Sequence, residues 1–268
     1  MSWEGIVKLY RRRHVLVRRQ LLLPIEWLIT HCSRDGHRTF FDSESFPWIA
    51  GMESHWSLVR AELDQLLKRR EAIPNFQDVS ENQKYLTQGE QWKTFILYFY
   101  GRRIAENCAS CPQTERLLKD IPGMKTAMFS ILAPGKHIPA HFGPYKGVLR
   151  YHLGLIVPRP ESLCRIRVGN DVRSWSEGRS LVFDDRHSHE VWNDSDAYRT
   201  VLFVDFVRPL PWPLSLVNRI AIKGMSMTWF VRDAVKRARK AARDRSPSLP
   251  HAGVSTKRPS DLEEVELS

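Results

Sequence analysis

Two histidines and one arginine in this sequence have the side-chain types that metal chemistry needs. His141 lies just before a Gly-Pro pair, His189 follows later in the chain, and Arg199 comes shortly after it. Imidazole nitrogens bind divalent metals, and a guanidinium can hold a carboxylate through two parallel hydrogen bonds. Two histidines on neighbouring strands, with an arginine deeper in the same barrel, therefore suit a metal and an anionic co-substrate.

A metal site built on this pair would lack one common ligand. Iron(II) sites of the oxygenase type use two imidazoles, often one carboxylate, and open positions for a co-substrate and oxygen. The carboxylate would lie two residues after the first histidine, and that residue is Gly143. We therefore expect a two-histidine site in which a water or a co-substrate oxygen completes the coordination.

Several alternatives to this site remain open from the residues alone. Both histidines could be ordinary hydrogen-bonded residues of the core or surface, and His187 could compete with His189 as a ligand. Asp184 and Asp185 could replace the absent carboxylate, although a turn or a supporting role fits them better.

Arg150 and His152 add polar groups to an apolar segment. They alternate along one predicted strand, so both point to the same face, whereas Leu149, Tyr151 and Leu153 point to the other. A buried arginine and histidine are costly unless an anion pairs with them.

Arg199 would likewise be a costly cation to bury, in an apolar strand later in the chain. Ser130, on another strand, could add a hydroxyl group beside it. A structural salt bridge would also explain Arg199, with these candidate partners: Asp184, Asp185 and Asp205.

The segments that must position these side chains are short, β-branched or aromatic, and separated by Gly, Pro, Asn and Asp. This pattern is typical of a compact antiparallel β-domain. The predicted strands are 126–132, 148–157, 164–168, 180–184, 189–192 and 199–207, with an aromatic strand before them at 92–100. Strands of this length and spacing favour a sandwich or jelly-roll barrel, so we predict a mainly β fold.

Helical additions are predicted on both sides of this β-domain. Apolar residues at three- and four-residue spacings indicate a helix within 46–72, which ends before Pro74, and a short helix runs from Thr114 to Lys119. The predicted organisation is a basic amphipathic segment, the β-domain with N-terminal helices, a basic amphipathic helix and a disordered tail, at 1–45, 46–210, 211–245 and 246–268.

The charge of the chain indicates an anionic partner. The net charge is +11 and the isoelectric point is near 9.7, which suits nucleic acid, a membrane surface or an acidic substrate. Both basic ends resemble segments that lie on anionic lipid headgroups. The alternative is a helical arm that packs on the core and exposes a basic face.

Cysteine usage and the N-terminal residues indicate a cytoplasmic protein. The four cysteines are too scattered for a disulfide framework, and Cys108-x-x-Cys111 fits structural thiols better than zinc. The apolar run 21–29 contains Pro24 and Glu26, is shorter than the ~20 residues that span a bilayer, and does not resemble a signal peptide. We predict a cytoplasmic location, peripheral on the inner face of the cytoplasmic membrane.

Taken together, these residues resemble the aspartyl/asparaginyl β-hydroxylase family of iron(II)/2-oxoglutarate dioxygenases over roughly 90–208. The motifs that carry the resemblance are Pro134-Gly135, His141-x-Gly143-Pro144, Leu149-Arg-Tyr-His-Leu-Gly-Leu155, Trp175-x-x-Gly178, Phe183-Asp-Asp185 and His189-Glu-Val-Trp192. The resemblance implies a double-stranded β-helix, a cupin-like jelly roll. It also implies iron(II), 2-oxoglutarate and O2 as cofactor and co-substrates.

Carried over by position, the resemblance implies a role for each candidate residue. His141 and His189 match the iron ligands, and Gly143 matches the absent carboxylate. The residues that match 2-oxoglutarate contacts are Arg150, His152, Arg199, Ser130 and Trp92.

One branch of the family, the bacterial lipid A 2-hydroxylases, is similar in further motifs. These are Cys111-Pro112-x-Thr114-x-x-Leu117-Leu118, Ile121-Pro122, Ala127-Met128-Phe129 and Arg208-Pro209 followed by Asn218-Arg219. The branch implies hydroxylation of a lipid acyl chain at its 2-position, on lipid A or an ornithine-type lipid, and an anionic lipid or membrane as partner. The alternatives are β-hydroxylation of an aspartyl or asparaginyl residue in a peptide, hydroxylation of a small molecule, and a non-enzymatic nucleic-acid-binding module. For the last, no specific nucleic-acid motif is present.

Overall fold

The computed structural model describes residue 20 and residues 22–79, 85–87 and 89–245. Its strands form two antiparallel sheets. The strands are β1 (Phe40–Phe41), β2 (Trp92–Phe99), β3 (Arg102–Arg103), β4 (Met124–Leu132), β5 (His137–His141), β6 (Val148–Ile156), β7 (Cys164–Val168), β8 (Asp171–Ser174), β9 (Ser180–Phe183), β10 (His189–Asn193) and β11 (Arg199–Val207).

The connectivity of the strands confirms the predicted jelly roll. The large sheet has the order β1-β9-β6-β11-β4-β2-β3, and the small sheet has the order β5-β10-β7-β8. From β4 onward the chain passes back and forth between the sheets, and only β7 and β8 follow each other within one sheet. This winding is that of a double-stranded β-helix, in which two sheets face each other.

Helices surround this β-domain. They are α1 (Leu23–Cys32), α2 (Trp48–Ser54), α3 (Trp56–Leu67), α4 (Phe76–Val79), α5 (Ala105–Ala109), α6 (Pro112–Lys119), α7 (Leu214–Ser226) and α8 (Trp229–Arg245). The helix predicted within 46–72 and the one predicted over 211–245 are each divided in two. At the second break the Thr228 hydroxyl donates to the Met225 carbonyl at 2.7 Å, which competes with the helical hydrogen bonds.

The large sheet separates two apolar layers, and the functional candidates lie in the inner one. Along β4, Phe129 and Ile131 face outward into the layer shared with α2, α3 and α6. Met128 and Leu132 face inward, toward small-sheet residues such as Ile166. This alternation places every second residue of a strand between the sheets.

Two strands of the small sheet were not predicted, namely β5 and β8. Both are edge strands. β5 contains Pro139 and is mostly exposed, and all residues of β8 are exposed, so neither has an apolar alternation. Proline is tolerated at such an edge because one side of the strand makes no ladder hydrogen bonds.

Parts of the predicted terminal segments lie outside the described residues. These are residues 1–19 and residue 21 of the basic N-terminal segment, and the whole predicted tail at 246–268. The domain boundaries therefore stay predictions.

Candidate active site

His141 and His189 lie side by side at one end of the small sheet. They are directly paired across β5 and β10, and the centroids of their rings are 4.1 Å apart. Both are buried. The sequence separation of the two residues gives no hint of this proximity, which the antiparallel pairing of the two strands produces.

Hydrogen bonds orient both imidazoles for metal binding. His141 Nδ1 is 2.8 Å from the Pro139 carbonyl oxygen, and His189 Nδ1 is 3.1 Å from the His187 carbonyl oxygen. A carbonyl only accepts, so each Nδ1 donates and each Nε2 keeps its lone pair. Burial lowers the pKa of His141 and lowers the pKa of His189 well below its ordinary value. Neutral rings with a free Nε2 are the form that ligates a metal.

Asp185, rather than a carboxylate at position 143, lies beside this pair. The Gly143 N–H donates to the Asp185 carbonyl at 2.7 Å, and a Cβ atom added at Gly143 would collide with the Asp185 carboxylate. Burial raises the pKa of Asp185 to about 7. Among the described residues, no cluster of three or more His, Cys, Asp or Glu side chains could hold a metal. The two imidazoles are the side chains here that could hold a metal ion.

Arg199 is a buried cation with unused donors. It is only 2% exposed, and its guanidinium carbon lies 4.3 Å from the centre of the Trp175 ring. Its Nε and Nη1 atoms have no hydrogen-bond partner among the described residues. Burial lowers the pKa of Arg199 to about 10, so the side chain stays charged at neutral pH. Such a group is costly to bury unless it has an anionic ligand.

The salt bridge that was the alternative explanation for Arg199 is not formed with any of its three candidate partners. The three candidate carboxylates pair with other cations. Asp184 lies 2.8 Å from Lys146 Nζ and 2.7 Å from Arg208 Nη1. Asp185 and Asp205 both pair with Arg150. The guanidinium of Arg199 is therefore left for a ligand.

His152 and Trp175 provide further unpaired polar atoms beside Arg199. Both ring nitrogens of His152 and the Nε1 atom of Trp175 are buried without a hydrogen-bond partner in the described part of the chain. The two ring centroids are 5.8 Å apart. Burial lowers the pKa of His152 well below its ordinary value, so the ring is neutral. Buried polar atoms are almost always satisfied in native proteins. A carboxylate bound here could accept from the Trp175 N–H and from the one N–H of the neutral His152 ring.

Ser130 and Trp92 form a buried pair on the same face of the large sheet. The Trp92 Nε1 atom donates to the Ser130 hydroxyl oxygen at 3.0 Å. Phe76 of α4 stacks on the Trp92 ring, with centroids 3.8 Å apart. Since the Ser130 oxygen already accepts this bond, its own proton remains available to a ligand. Trp92 therefore positions Ser130.

Arg150 has a different environment from that of Arg199. Its Nη2 atom lies 2.7 Å from Asp185 Oδ2, and its Nε atom donates to Asp205 Oδ1 at 2.9 Å. Its guanidinium also lies over the Phe203 ring, 4.1 Å from the centroid. With two carboxylates already bound, Arg150 is suited to holding Asp185 beside Gly143. Direct contact with 2-oxoglutarate stays a prediction for this residue.

The structure brings the two groups of candidates together across the gap between the sheets. Phe183 is in contact with both, because its ring centroid is 6.2 Å from that of His189 and 5.0 Å from that of His152. His187 lies apart in the preceding turn, with its Nε2 atom 4.0 Å from Asp184. Sequence reasoning did not assign Trp175 to the site, although the Trp-x-x-Gly motif marked it.

Comparison of the chain with known proteins identifies its family. The family model described as aspartyl/asparaginyl β-hydroxylase matches residues 53–209 of the chain. The chain belongs to this family. The predicted resemblance is confirmed, and this protein is a member of a hydroxylase family.

This hydroxylase is similar to one relative named as a lipid acyl hydroxylase and to another named as an aspartyl/asparaginyl beta-hydroxylase. It is 46% identical over 200 residues to the ornithine lipid ester-linked acyl 2-hydroxylase of Rhizobium tropici, covering 75% of this chain and 71% of that protein. It is 34% identical over 166 residues to the human aspartyl/asparaginyl beta-hydroxylase, covering 60% of this chain but only 21% of the human protein. Among the described residues, none of the helices has the length and hydropathy of a membrane span.

Proposed function

We propose that this hydroxylase is an iron(II)/2-oxoglutarate-dependent dioxygenase that hydroxylates the 2-position of a lipid acyl chain. An ornithine-type lipid is the favoured substrate, with lipid A as a second lipid of the same class. The support for the lipid is the 46% identity to the ornithine lipid hydroxylase of Rhizobium tropici.

One observation carries the proposed chemistry, namely two buried imidazoles that keep their Nε2 lone pairs in the same barrel as a buried guanidinium. Two nitrogens of that guanidinium lack a hydrogen-bond partner among the described residues. His141 and His189 would hold iron(II) through these atoms. Arg199 would hold the distal carboxylate of 2-oxoglutarate, because its Nε and Nη1 atoms have no partner within the described part of the chain. When bound, iron with 2-oxoglutarate and O2 supplies the oxidising power that an unactivated C–H bond requires.

The remaining residues act by positioning and by excluding water. The Ser130 hydroxyl, the Trp175 N–H and the single N–H of the neutral His152 ring can donate to an anionic co-substrate. The apolar residues around them form the inner core layer, including Met128, Phe183, Val201 and Phe203. A low-dielectric environment strengthens the interaction of Arg199 with a carboxylate.

The second candidate function keeps this chemistry and changes the acceptor. An aspartyl or asparaginyl residue of a peptide, or a small molecule, would then be hydroxylated. The similarity to the human aspartyl/asparaginyl beta-hydroxylase supports this reading over 60% of the chain. The lipid remains favoured because the Rhizobium tropici relative matches with higher identity and over more of the chain.

The first experiment measures succinate formed from 2-oxoglutarate in air with iron(II), without any acceptor. We expect slow turnover by the wild type and its loss in His141→Ala and Arg199→Ala. His137→Ala is the matched control, because His137 is an exposed histidine on the same strand as His141. If the wild type bound neither iron(II) nor 2-oxoglutarate, the site would be structural and the proposal wrong.

A second experiment identifies the acceptor. Detergent-dispersed ornithine lipid and an aspartate-containing peptide are offered separately, and mass spectrometry detects the added oxygen. Lipid-dependent product with fragmentation at carbon 2 supports the lipid function. Peptide product without lipid product would replace it with the second candidate.

A further inference from the structure

Helix α7 is apolar on its exposed face as well as on its buried face. Leu216 and Ile220 lie four residues apart on one side of the helix and are 53% and 63% exposed. Met227, directly after the helix, is 65% exposed. The opposite side packs on the domain through Leu214 and Ile222. A surface helix that only completes a core would expose polar residues here.

The tryptophan before α7 extends this exposed apolar face. Trp212 is 81% exposed and precedes Leu216 by one helical turn. Tryptophan is enriched where a membrane surface meets water, because its ring is apolar and its N–H is polar.

Helix α8 buries its apolar side and exposes its basic side. Of the segment at 211–245 that was predicted to lie at a membrane surface, α7 is therefore the part that exposes an apolar face. The apolar side of α8 is buried against the domain, through Val231, Ala234, Val235, Ala238 and Ala242. Its exposed side carries basic residues: Arg232, Lys236, Arg239, Lys240 and Arg243. α8 therefore contributes mainly charge, with Trp229 at its first position as an exposed apolar residue (55%).

Helix α1 adds a second exposed apolar face beside α7. The two helices meet in a small cluster that contains Ile29, Tyr145 and Ile222. On α1, Leu23 and Trp27 lie one turn apart and are 41% and 58% exposed. The apolar surface is therefore shared by two packed helices.

Both helices hold the loop that follows the proposed iron ligand His141. Glu26 of α1 accepts a hydrogen bond from the Lys146 backbone N–H at 3.2 Å. Asn218 of α7 donates to the Gly147 carbonyl at 2.8 Å. Phe142, next to His141, is 56% exposed. An exposed apolar residue therefore also lies next to the proposed iron ligand.

We propose that α1, α7 and the loop at Phe142 form a docking surface for an anionic lipid bilayer. Its apolar residues are Leu23, Trp27, Phe142, Trp212, Leu216 and Ile220. The occupant is a bilayer because exposed Arg219 and Lys223 of α7 stand beside these residues, and the net charge is +11. Basic residues next to an apolar helix face match anionic headgroups above acyl chains.

This inference rests on the proposed function in one respect, since a lipid substrate has to come from a bilayer. Helix α7 has 13 residues, fewer than the ~20 needed to span a membrane. It would therefore lie in the plane of the interface, with its exposed side chains among the headgroups and upper acyl carbons. The loop at Phe142, next to His141, would then face the acyl chains.

The test is co-sedimentation of the full chain with vesicles of phosphatidylglycerol and phosphatidylcholine. We expect the Leu216→Ser/Ile220→Ser variant to bind at least ~10-fold more weakly, because two apolar side chains no longer enter the bilayer. Val172→Ser is the matched control, since Val172 is equally apolar, 56% exposed and lies on β8 of the small sheet. It should bind like the wild type.

The contribution of the basic residues of α7 and the depth to which Trp212 enters the bilayer are tested separately with the same vesicles. Arg219→Glu/Lys223→Glu should weaken binding by about tenfold or more, whereas Arg116→Glu on α6 should weaken it much less. Brominated lipids should quench tryptophan fluorescence in the wild type, and less so in Trp212→Phe.

Two results would overturn the docking surface. One is vesicle binding of the Leu216→Ser/Ile220→Ser variant as strong as that of the wild type. The other is a wild-type dimer in sedimentation velocity that this variant dissociates, since the surface would then bind a second copy. Succinate formation without acceptor is measured in parallel: if it persists while vesicle binding is absent, the surface is wrong and the proposed chemistry stands.

Discussion

The carboxylate of Asp185 fills the space beside the α-carbon of Gly143. The Gly143 N–H donates to the Asp185 carbonyl at 2.7 Å, which fixes the two backbones together. A side chain at position 143 has no room as long as Asp185 keeps its place beside Arg150. The absence of a carboxylate at this position therefore has a steric explanation in the packing of the site.

Gly143→Ala should lower the free energy of unfolding by ~1–3 kcal/mol, because its methyl group overpacks the contact with Asp185. Urea unfolding followed by fluorescence measures this change. Gly51→Ala is the control, since Gly51 lies in α2 with open space around its α-carbon. That variant should be neutral or more stable by up to ~1 kcal/mol. Equal stability of both variants would contradict the steric explanation.

Arg199→Met should stabilise the ligand-free protein while abolishing 2-oxoglutarate binding. The substitution removes a buried cation that has unfilled donors, and replacing buried charges by apolar groups gains ~1–4 kcal/mol in favourable cases. Thermal unfolding with and without 2-oxoglutarate should show a higher Tm and no ligand-induced increase.

Arg150→Met is the matched comparison for Arg199→Met. It leaves the buried Asp185 and the partly buried Asp205 without their cation, so we expect a loss of ~3–5 kcal/mol. If Arg199→Met were destabilised as strongly as Arg150→Met, the Arg199 guanidinium would have a structural partner and the ligand role would lose its basis.

Glu115 on α6 should make stability depend on acidic pH. Its hydrogen bonds from Arg103, at 2.8 Å, and from Tyr98 lower its pKa to about 2. Because the folded pKa lies below the unfolded value of ~4.3, the contribution is complete above that value and is lost as the pH falls toward 2. Urea unfolding at about pH 7, 4 and 3 measures this dependence, and Glu115→Gln should flatten the acidic part of the stability curve.

The control for the pH experiment is Glu44→Gln, at an exposed position. Its stability should fall with pH in parallel with that of the wild type. A Glu115→Gln curve that also follows the wild type would show that other carboxyl groups cause the acid dependence.

Cysteine alkylation should distinguish Cys32 from the other three cysteines. Cys32 is exposed, whereas Cys108, Cys111 and Cys164 are buried free thiols. Burial raises the pKa of Cys108 to about 11 and also raises the pKa values of Cys111 and Cys164. Since the thiolate is the reactive form, mass spectrometry should find one rapid iodoacetamide adduct in the native protein. Rapid modification of Cys108 or Cys111 would show that this segment opens.

The strands that were predicted correctly are those with a clear apolar pattern. β6 and β11 alternate between outward apolar residues such as Tyr151 and inward residues such as His152 and Arg199. β5 was missed although it carries His141, because an exposed edge strand has no such alternation. Local patterning identifies a buried strand but not the ladder that an edge strand joins.

The pairing of charges could not be predicted from the sequence. Arg150 and Arg199 look alike as single arginines in apolar strands. Arg150 pairs with two carboxylates, whereas Arg199 has no ion pair among the residues that the structure describes. Asp205 lies directly opposite Arg150 across β6 and β11, and Asp185 reaches it from the end of β9. Such partners depend on strand register and sheet order, which are properties of the whole fold.

The candidate iron ligands and the candidate acid-binding residues belong to different sheets. His141 and His189 are on β5 and β10, whereas Arg199, His152 and Ser130 are on β11, β6 and β4. A co-substrate that contacts both the metal and Arg199 would bridge the two sheets. The loaded protein would therefore resist separation of the small sheet from the large sheet. The division also allows independent variation: changes in the large sheet can alter which acid is accepted while the small sheet retains the same metal.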